Sequence, residues 1–335
     1  MRIVVGVDEK SKEGALPLAA SMLRRLRFPR AQTDVIHVLT PMIYDDWGVE
    51  AAMSPGAFDS ANRAARDMAW SVVNRTTGML RETPREAGDE PDPALVHAVV
   101  RDAASAVEGI LAQADQEKAD LIAVDGPHCG PMAALLTGSV ARSLVIASHV
   151  HSVLLAKEPR IGPASEQAPS PKDGVAIGMP ASDSSLDSPV RVVFATDHSP
   201  YANRCLHKFL HLSPRGISHL TVLTAYPEKE LSDDGIFLPD LAIHPSLAVR
   251  RSLIALNAEV LNHLMPMLEA AGATSESRVV GAPINDAIVS TMEETKADLL
   301  VMGARGHGFA ERLSPGTVSF HQAMTSPYSL LMLRS

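Results

Sequence analysis

The sequence predicts an α/β protein made of two tandem domains, each a five-stranded parallel sheet with helices on both faces. Two observations carry that prediction. Short runs of β-branched and aliphatic residues alternate with longer segments of helical apolar spacing, which is the pattern of parallel strands joined by crossover helices. The whole series then restarts after a stretch rich in Pro, Ser, Asp and Gly, so the chain is an internal duplication.

In the first half, Met1 to Val7 reads as a buried strand followed by Asp8, and Ala15 to Leu26 has helical spacing. Thr33 to Leu39 is a second strand, ending at Val38 and Leu39. Pro41 to Gly56 carries Pro, Gly and acids and reads as a loop; Phe58 to Leu80 is a long amphipathic helix. Glu82 to Pro93 is a connection. Ala94 to Val100 is the third strand, Ala103 to Gln116 a helix and Ala119 to Val124 the fourth strand. Gly126, Gly130 and Gly138 follow, then a helix from Ser139 and a fifth strand at Ser152 to Ala156. The first domain is assigned to residues 1–157, a flexible linker to 158–189 and the second domain to 190–335.

The second half repeats the order. Val190 to Thr196 is a strand followed by Asp197, and Ser199-Pro200 opens a helix with a capping hydroxyl and a proline at its first position. Leu220 to Ala225 is the second strand, Ser232 to Pro245 a loop with the turn-forming Asp233-Asp234-Gly235, and Leu247 to Ala271 a long helix whose Leu264 to Leu268 stretch reads as core. Ser277 to Val280, the helix Pro283 to Lys296, the strand Ala297 to Met302 and the final strand Ser329 to Leu333 complete it. Lys118 to Gly126 (KADLIAVDG) matches Lys296 to Ala304 (KADLLVMGA), and Leu136 to Ala141 (LTGSVA) matches Ser314 to Ser319 (SPGTVS).

Function is concentrated after the fourth strand of the second half. Met302 leads into Gly303, then Gly306, then nine residues, then Gly316-Thr317, a G-x-x-G-x9-G-T spacing. Glycines let a backbone approach a ligand closely, and the free amides at a helix start favour an anion. The hydroxyls of Thr317 and Ser319 are candidate donors to phosphate oxygens. The spacing is neither a P-loop nor a dinucleotide fingerprint.

This motif resembles the nucleotide-binding signature of the universal stress protein family, and both halves resemble that family's domain over nearly their full length. The fold so implied is universal stress protein-like, of the adenine nucleotide alpha hydrolase-like type, and many members bind ATP. By that resemblance Asp197 contacts the ribose, and Ala195, Thr196 and Ala225 line an adenine slot with Met302 beside it. Gly303, Gly306, Gly316, Thr317, Val318 and Ser319 hold ribose and phosphates, with Arg305 or His307 adding positive charge. The implied cofactor is ATP, alone or with Mg, and AMP fits the same residues. In the first half Asp8, Val38, Gly126, Gly138 and Ser139 are weaker counterparts. Asp125 replaces Gly303, His128 replaces Gly306 and Ala141 replaces Ser319. A carboxylate directed at the phosphate cradle predicts a weakened or lost site there. The resemblance also implies that SVLLA and SLLML pair as sheet edges in a pseudo-dimer, and homodimerisation is a further expectation.

Other residues carry competing readings. Asp8 and Asp197 are candidate acids but fit nucleotide contacts or helix caps better. His149 and His151 lack a third metal ligand and read as surface or strand-edge histidines. Cys129 has no CxxC partner and reads as a space-filler. No catalytic residue and no metal site is assigned. Three functions follow: a nucleotide-binding sensor or regulator with an unknown protein partner, a slow ATPase with His307 as base, or a structural interaction module.

Composition narrows the setting. The 335 residues are 46% hydrophobic, 21% charged and 4% aromatic, a globular balance with aliphatic cores. A net charge of −9 argues against nucleic-acid binding. Two cysteines, an immediate opening strand and the lack of a long apolar run predict a cytoplasmic protein with no membrane partner.

Overall fold

The computed structural model describes residues 1–8, 17–29, 31–40, 55–83, 92–126, 139–158, 188–227, 245–305 and 316–335. The first half runs β1 (Arg2–Gly6), α1 (Leu18–Leu26), β2 (Gln32–Leu39), α2 (Pro55–Arg81), β3 (Val96–Asp102), α3 (Ala106–Glu117), β4 (Leu121–Asp125), α4 (Ser139–Ala147) and β5 (Ser152–Ala156). The second runs β6 (Val190–Ala195), α5 (Pro200–Leu212), β7 (Ile217–Tyr226), α6 (Pro245–Ala271), β8 (Thr274–Gly281), α7 (Ile284–Glu294), β9 (Leu299–Gly303), α8 (Thr317–Thr325) and β10 (Ser329–Leu333).

The strands form one 10-stranded sheet in the order β3-β2-β1-β4-β5-β10-β9-β6-β7-β8. Within each half every pairing is parallel. The two halves meet edge to edge at β5 and β10, which pair antiparallel with Leu330 opposite Leu155 and Met332 opposite Val153. All five residues of each of these strands are buried, so an apolar edge that would invite aggregation is covered by its counterpart.

Helices cover both faces. One apolar layer joins α1, α2, α5 and α6 through Leu23, Val73, Phe209 and Leu264. The other joins α3, α4, α7 and α8 through Ile110, Leu144, Ile288 and Ala323. Both layers run across the β5–β10 seam, since Leu154 and Leu331 belong to the first and Leu155 and Leu330 to the second.

The repeat extends to backbone detail. Lys118 and Lys296, each just before the fourth strand of its half, both adopt φ of 51°. Asp120 and Asp298 each accept the backbone N–H of a first-strand arginine, Arg2 at 3.1 Å and Arg191 at 2.9 Å. Their second partners come from the opposite half: Lys208 Nζ donates to Asp120 at 2.7 Å and Arg25 Nη2 lies 3.2 Å from Asp298.

Several boundaries differ from the sequence reading. Strand β3 starts two residues later than expected because Pro93–Leu95 forms a short 3-10 turn. Helix α2 begins earlier, at Pro55, and α6 at Pro245; both carry a proline at the start, where a missing N–H is harmless. Pro266 lies inside α6 without ending it. Of the expected loops and linker, 41–54, 159–187 and 228–244 lie outside the described residues, as do Cys129 and the Asp233-Asp234-Gly235 turn.

Candidate functional site

The strand ends of the second half converge. Ala195 at the end of β6 is in register with Met302 of β9 on one side and Leu223 of β7 on the other. The Thr196 N–H continues the pairing to the Leu223 carbonyl at 3.0 Å. Asp197 therefore emerges between the end of β9, at Gly303, and the end of β7, at Ala225. Asp197 is exposed, Ala225 and Gly303 are half-buried, and Ala195, Thr196 and Met302 are buried.

Helix α8 starts against this point. Its N-cap is Gly316, with φ −62° and ψ 154°, and no side chain caps the first turn. The Gly316 N–H donates to the Ala304 carbonyl at 2.7 Å, and the Ala304 N–H donates to the Leu333 carbonyl at 2.9 Å. The base of the glycine loop is thus closed on the end of β10. Gly306 and His307 lie outside the described residues, as does Gly138 of the first half. Thr317 is exposed, Val318 half-buried and Ser319 buried.

Two features of this loop follow from its packing. The Ser319 hydroxyl donates to the Gly303 carbonyl at 2.9 Å and ties α8 to β9. Gly303 and Gly316 do not need positive φ, since Gly272 is the positive-φ glycine among the described residues. Gly303 sits in a tight approach instead. A Cβ there would lie 3.1 Å from Tyr201 Cε1 and 3.3 Å from Cys205 Sγ. Tyr201 packs over the glycine and holds Arg305, whose guanidinium carbon lies 5.7 Å from the ring centroid. Burial pushes the Cys205 thiol up to about 11, so it packs as an inert apolar group.

A polar network beneath the strand ends was not legible in the sequence reading. His198, at φ 56°, turns the chain from β6 into α5. Its Nε2 lies 3.0 Å from Thr224 Oγ1 and 3.0 Å from Asn257 Oδ1. Thr224 Oγ1 lies 2.7 Å from Asn257 Oδ1, and Asn257 Nδ2 donates to the Arg278 carbonyl at 3.1 Å. Burial lowers the His198 pKa below its usual value, against the opposing hydrogen bond to Asn257. The signal was present: Asn257 lies on the same helix stripe as buried Val260 and Leu264, where a polar residue needs partners.

The first half is built differently at each of these points. Asp8 is exposed and Val38 half-buried, and Val7 N–H pairs with the Ile36 carbonyl as Thr196 pairs with Leu223. His37 stands where Thr224 stands and its Nδ1 lies 3.0 Å from the Val7 carbonyl. Asp125 holds the Gly303 position, and helix α1 engages one of its carboxylate oxygens. Oδ1 accepts the Ala19 N–H at 2.8 Å. Helix α1 has Pro17 at its N-cap and no capping side chain of its own, so a residue from β4 caps it across space. Helix α5 has its own cap, Ser199, whose hydroxyl accepts from Ala202 N at 3.1 Å. Gly126 is buried, and a Cβ there would lie 2.9 Å from Lys157 Cγ. Ser139 opens α4.

The histidines also divide. His149 is exposed, and His151, at the edge of β5, is buried, with Nδ1 2.6 Å from the Ala119 carbonyl and Nε2 2.8 Å from Asp115. Among the described residues no group of three His, Cys, Asp or Glu side chains is placed to hold a metal ion. No helix among them is long and apolar enough to cross a membrane.

A profile of the universal stress protein family matches residues 1–157 and 190–334. Among solved structures, a universal stress protein from Archaeoglobus fulgidus DSM 4304 superposes with a TM-score of 0.54 at 16% identity, over 99% of this chain and 98% of the other. A functionally unknown protein from Pseudomonas aeruginosa PAO1 superposes with a TM-score of 0.53 at 14% identity, over 99% and 92%. These two likenesses are of fold. No curated protein sequence matches the chain.

Proposed function

The chain belongs to the universal stress protein family, and from that premise we propose that its second half binds an adenine nucleotide, ATP foremost, and acts as a cytoplasmic sensor or regulator in a stress response. The observation that carries the reading is the meeting of Asp197, Ala225 and Gly303 at three strand ends with the side-chain-free N-cap of α8. Small residues leave room for a base, an exposed carboxylate suits ribose hydroxyls, and helix-start amides suit phosphate. Thr317 and the α8 amides are the phosphate donors, and Ser319 holds the strand end in place. Arg305, fixed over Tyr201, supplies positive charge. When bound, Mg would share the phosphate charge. Ligand occupancy changes the surface that a protein partner reads.

The two domains divide at 157 and 190, and we read the β5–β10 pairing as a pseudo-dimer formed within one chain. The first half, with Asp125 at the Gly303 position and His37 at the Thr224 position, has lost the site. Denaturing the purified protein and identifying released nucleotide by mass spectrometry tests this. One ATP per chain, lost on Gly316→Val, supports the reading. Two per chain overturns the loss of the first site. None, together with no heat of ATP binding by calorimetry, overturns the nucleotide reading and leaves an interaction module.

A further inference from the structure

Asn257 is fully buried in the middle of α6, and its amide joins three elements of the second half. Nδ2 donates to the Arg278 carbonyl of β8, which fixes which way the amide faces. Oδ1 therefore accepts: Thr224 Oγ1, which also reaches the Thr196 carbonyl at 3.1 Å, lies 2.7 Å away, and His198 Nε2 lies 3.0 Å from it. His198 thus carries its ring proton on Nε2. Its backbone is left-handed at φ 56°, a conformation unfavourable for a non-glycine residue unless its surroundings impose it. The ring's bonds to β7 and α6, and the backbone N–H donating to Thr196 Oγ1 at 3.1 Å, impose it here. That turn carries Asp197, whose Oδ1 accepts the Ser199 N–H at 3.0 Å and so sits at the start of α5.

We propose that Asn257 is a positioning residue for the nucleotide site, acting through His198 to set the turn that presents Asp197, so that helix α6 is coupled to ligand binding. The inference rests on the reading that the second half binds an adenine nucleotide. Among the described residues the first half shows no such link: the buried stripe of α2 carries Ala69, Val72 and Thr76 with no amide, and His37 at the Thr224 position bonds the Val7 carbonyl.

The full chain is titrated with ATP by calorimetry as wild type, Asn257→Leu and Thr224→Val, with His198 observed by long-range 15N–1H spectra. The wild type shows the Nε2–H tautomer of His198. Asn257→Leu loses that signature and binds ATP about tenfold more weakly, the scale of one lost buried hydrogen bond. Thr224→Val keeps the amide–imidazole bond and weakens binding less. If Asn257→Leu does not fold, Asn257→Ser, which likewise removes the amide acceptor facing His198, takes its place and its affinity must fall about tenfold. Wild-type ATP affinity in both variants, or an Nδ1–H tautomer in the wild type, overturns the coupling while leaving the site reading intact. Failure of the wild type to bind ATP overturns both, and is recognised by the absence of heat before any variant is compared.

Discussion

Lys157 and Arg334 stand at equivalent points of the repeat, one residue past β5 and one past β10, and each reaches across the seam to the last helix of the other half. The Lys157 ammonium donates to the Ala323 carbonyl at 3.3 Å and to the Ser326 carbonyl, at the C-terminus of α8. The Arg334 guanidinium donates to the Val145 carbonyl at 2.5 Å, in the last turn of α4. The exchange continues in the backbone: Lys157 N–H donates to Ser329 Oγ and Arg334 N–H to Ser152 Oγ, the first residues of the two seam strands. A cation at a helix C-terminus is favoured by the orphan carbonyls and the dipole.

The two clasps are not energetically equal. The Lys157 ammonium is satisfied by acceptors, whereas Arg334 Nε and Nη1 are buried with no hydrogen-bond partner among the described residues. A buried cation that leaves donors unmet gives back much of its attraction as desolvation. Lys157→Met should therefore destabilise the protein by about 2 kcal/mol, the scale of a charge-assisted buried bond. Arg334→Met should fall within about 1 kcal/mol of neutral. Urea midpoints at an unchanged m-value measure both, and a larger loss for Arg334→Met contradicts this assignment.

A second contact between halves depends on the absence of a side chain. The amides of Arg215 and Gly216 donate to the Leu26 carbonyl at the end of α1, at 3.0 and 2.8 Å. A Cβ on Gly216 would lie 1.7 Å from the Arg25 carbonyl oxygen, and that neighbour is backbone. Gly216→Ala should cost more than about 3 kcal/mol, because the turn must leave α1. Gly78→Ala is the control: nothing lies within 4 Å of its added Cβ, and alanine in a helix interior gains roughly 0.5–1 kcal/mol. Thermal melts of the two variants should move in opposite directions.

Stability at acid pH should depend on Asp120. Burial pushes its carboxyl up, but the hydrogen bonds from Lys208 and the Arg2 amide, with the nearby Lys208 and His211 charges, outweigh burial and hold it below the ordinary value of 3.8. The folded pKa is thus lower than the unfolded one. The contribution is present above the unfolded value and is lost as pH falls through the folded one. Asp120→Asn should flatten the fall in stability below about pH 4 and lower stability at neutral pH. A wild-type slope in the acid limb of Asp120→Asn excludes this role.

Most of the architecture was legible because the duplication repeats it. The same strand, helix and glycine order occurs twice, and apolar SVLLA and SLLML announce edges that must be covered. The candidate site stands out in the sequence where its residues are local, at the glycine spacing that follows Met302. What was hidden depends on residues far apart. Asn257 meets His198 only through the packing of α6 on β6 and β7, and Asp125 caps α1 from the end of β4. Gly303 stands out in the sequence as lacking a side chain, but the Tyr201 ring that crowds it comes from helix α5, and a sequence does not display that ring's position.

The contrast between Gly303 and Asp125 gives the last prediction. In the first half a carboxylate at this position is accommodated because α1 has no cap of its own and the Ala19 N–H is open to it. In the second half the Tyr201 ring and the Cys205 sulfur lie over the equivalent point, and Ser199 already caps α5. Gly303→Asp therefore has neither space nor a donor waiting. It should destabilise the second half by roughly 2–3 kcal/mol, as an unpaired buried charge with displaced neighbours does, and abolish ATP binding. Asp125→Gly should cost only about 1 kcal/mol, the loss of one helix cap. It should not add a second nucleotide per chain, because His37 and the missing Asn257 counterpart remain. Stability by urea titration and nucleotide content by mass spectrometry read the two variants together. A second bound nucleotide in Asp125→Gly would show that the carboxylate alone closed the first site.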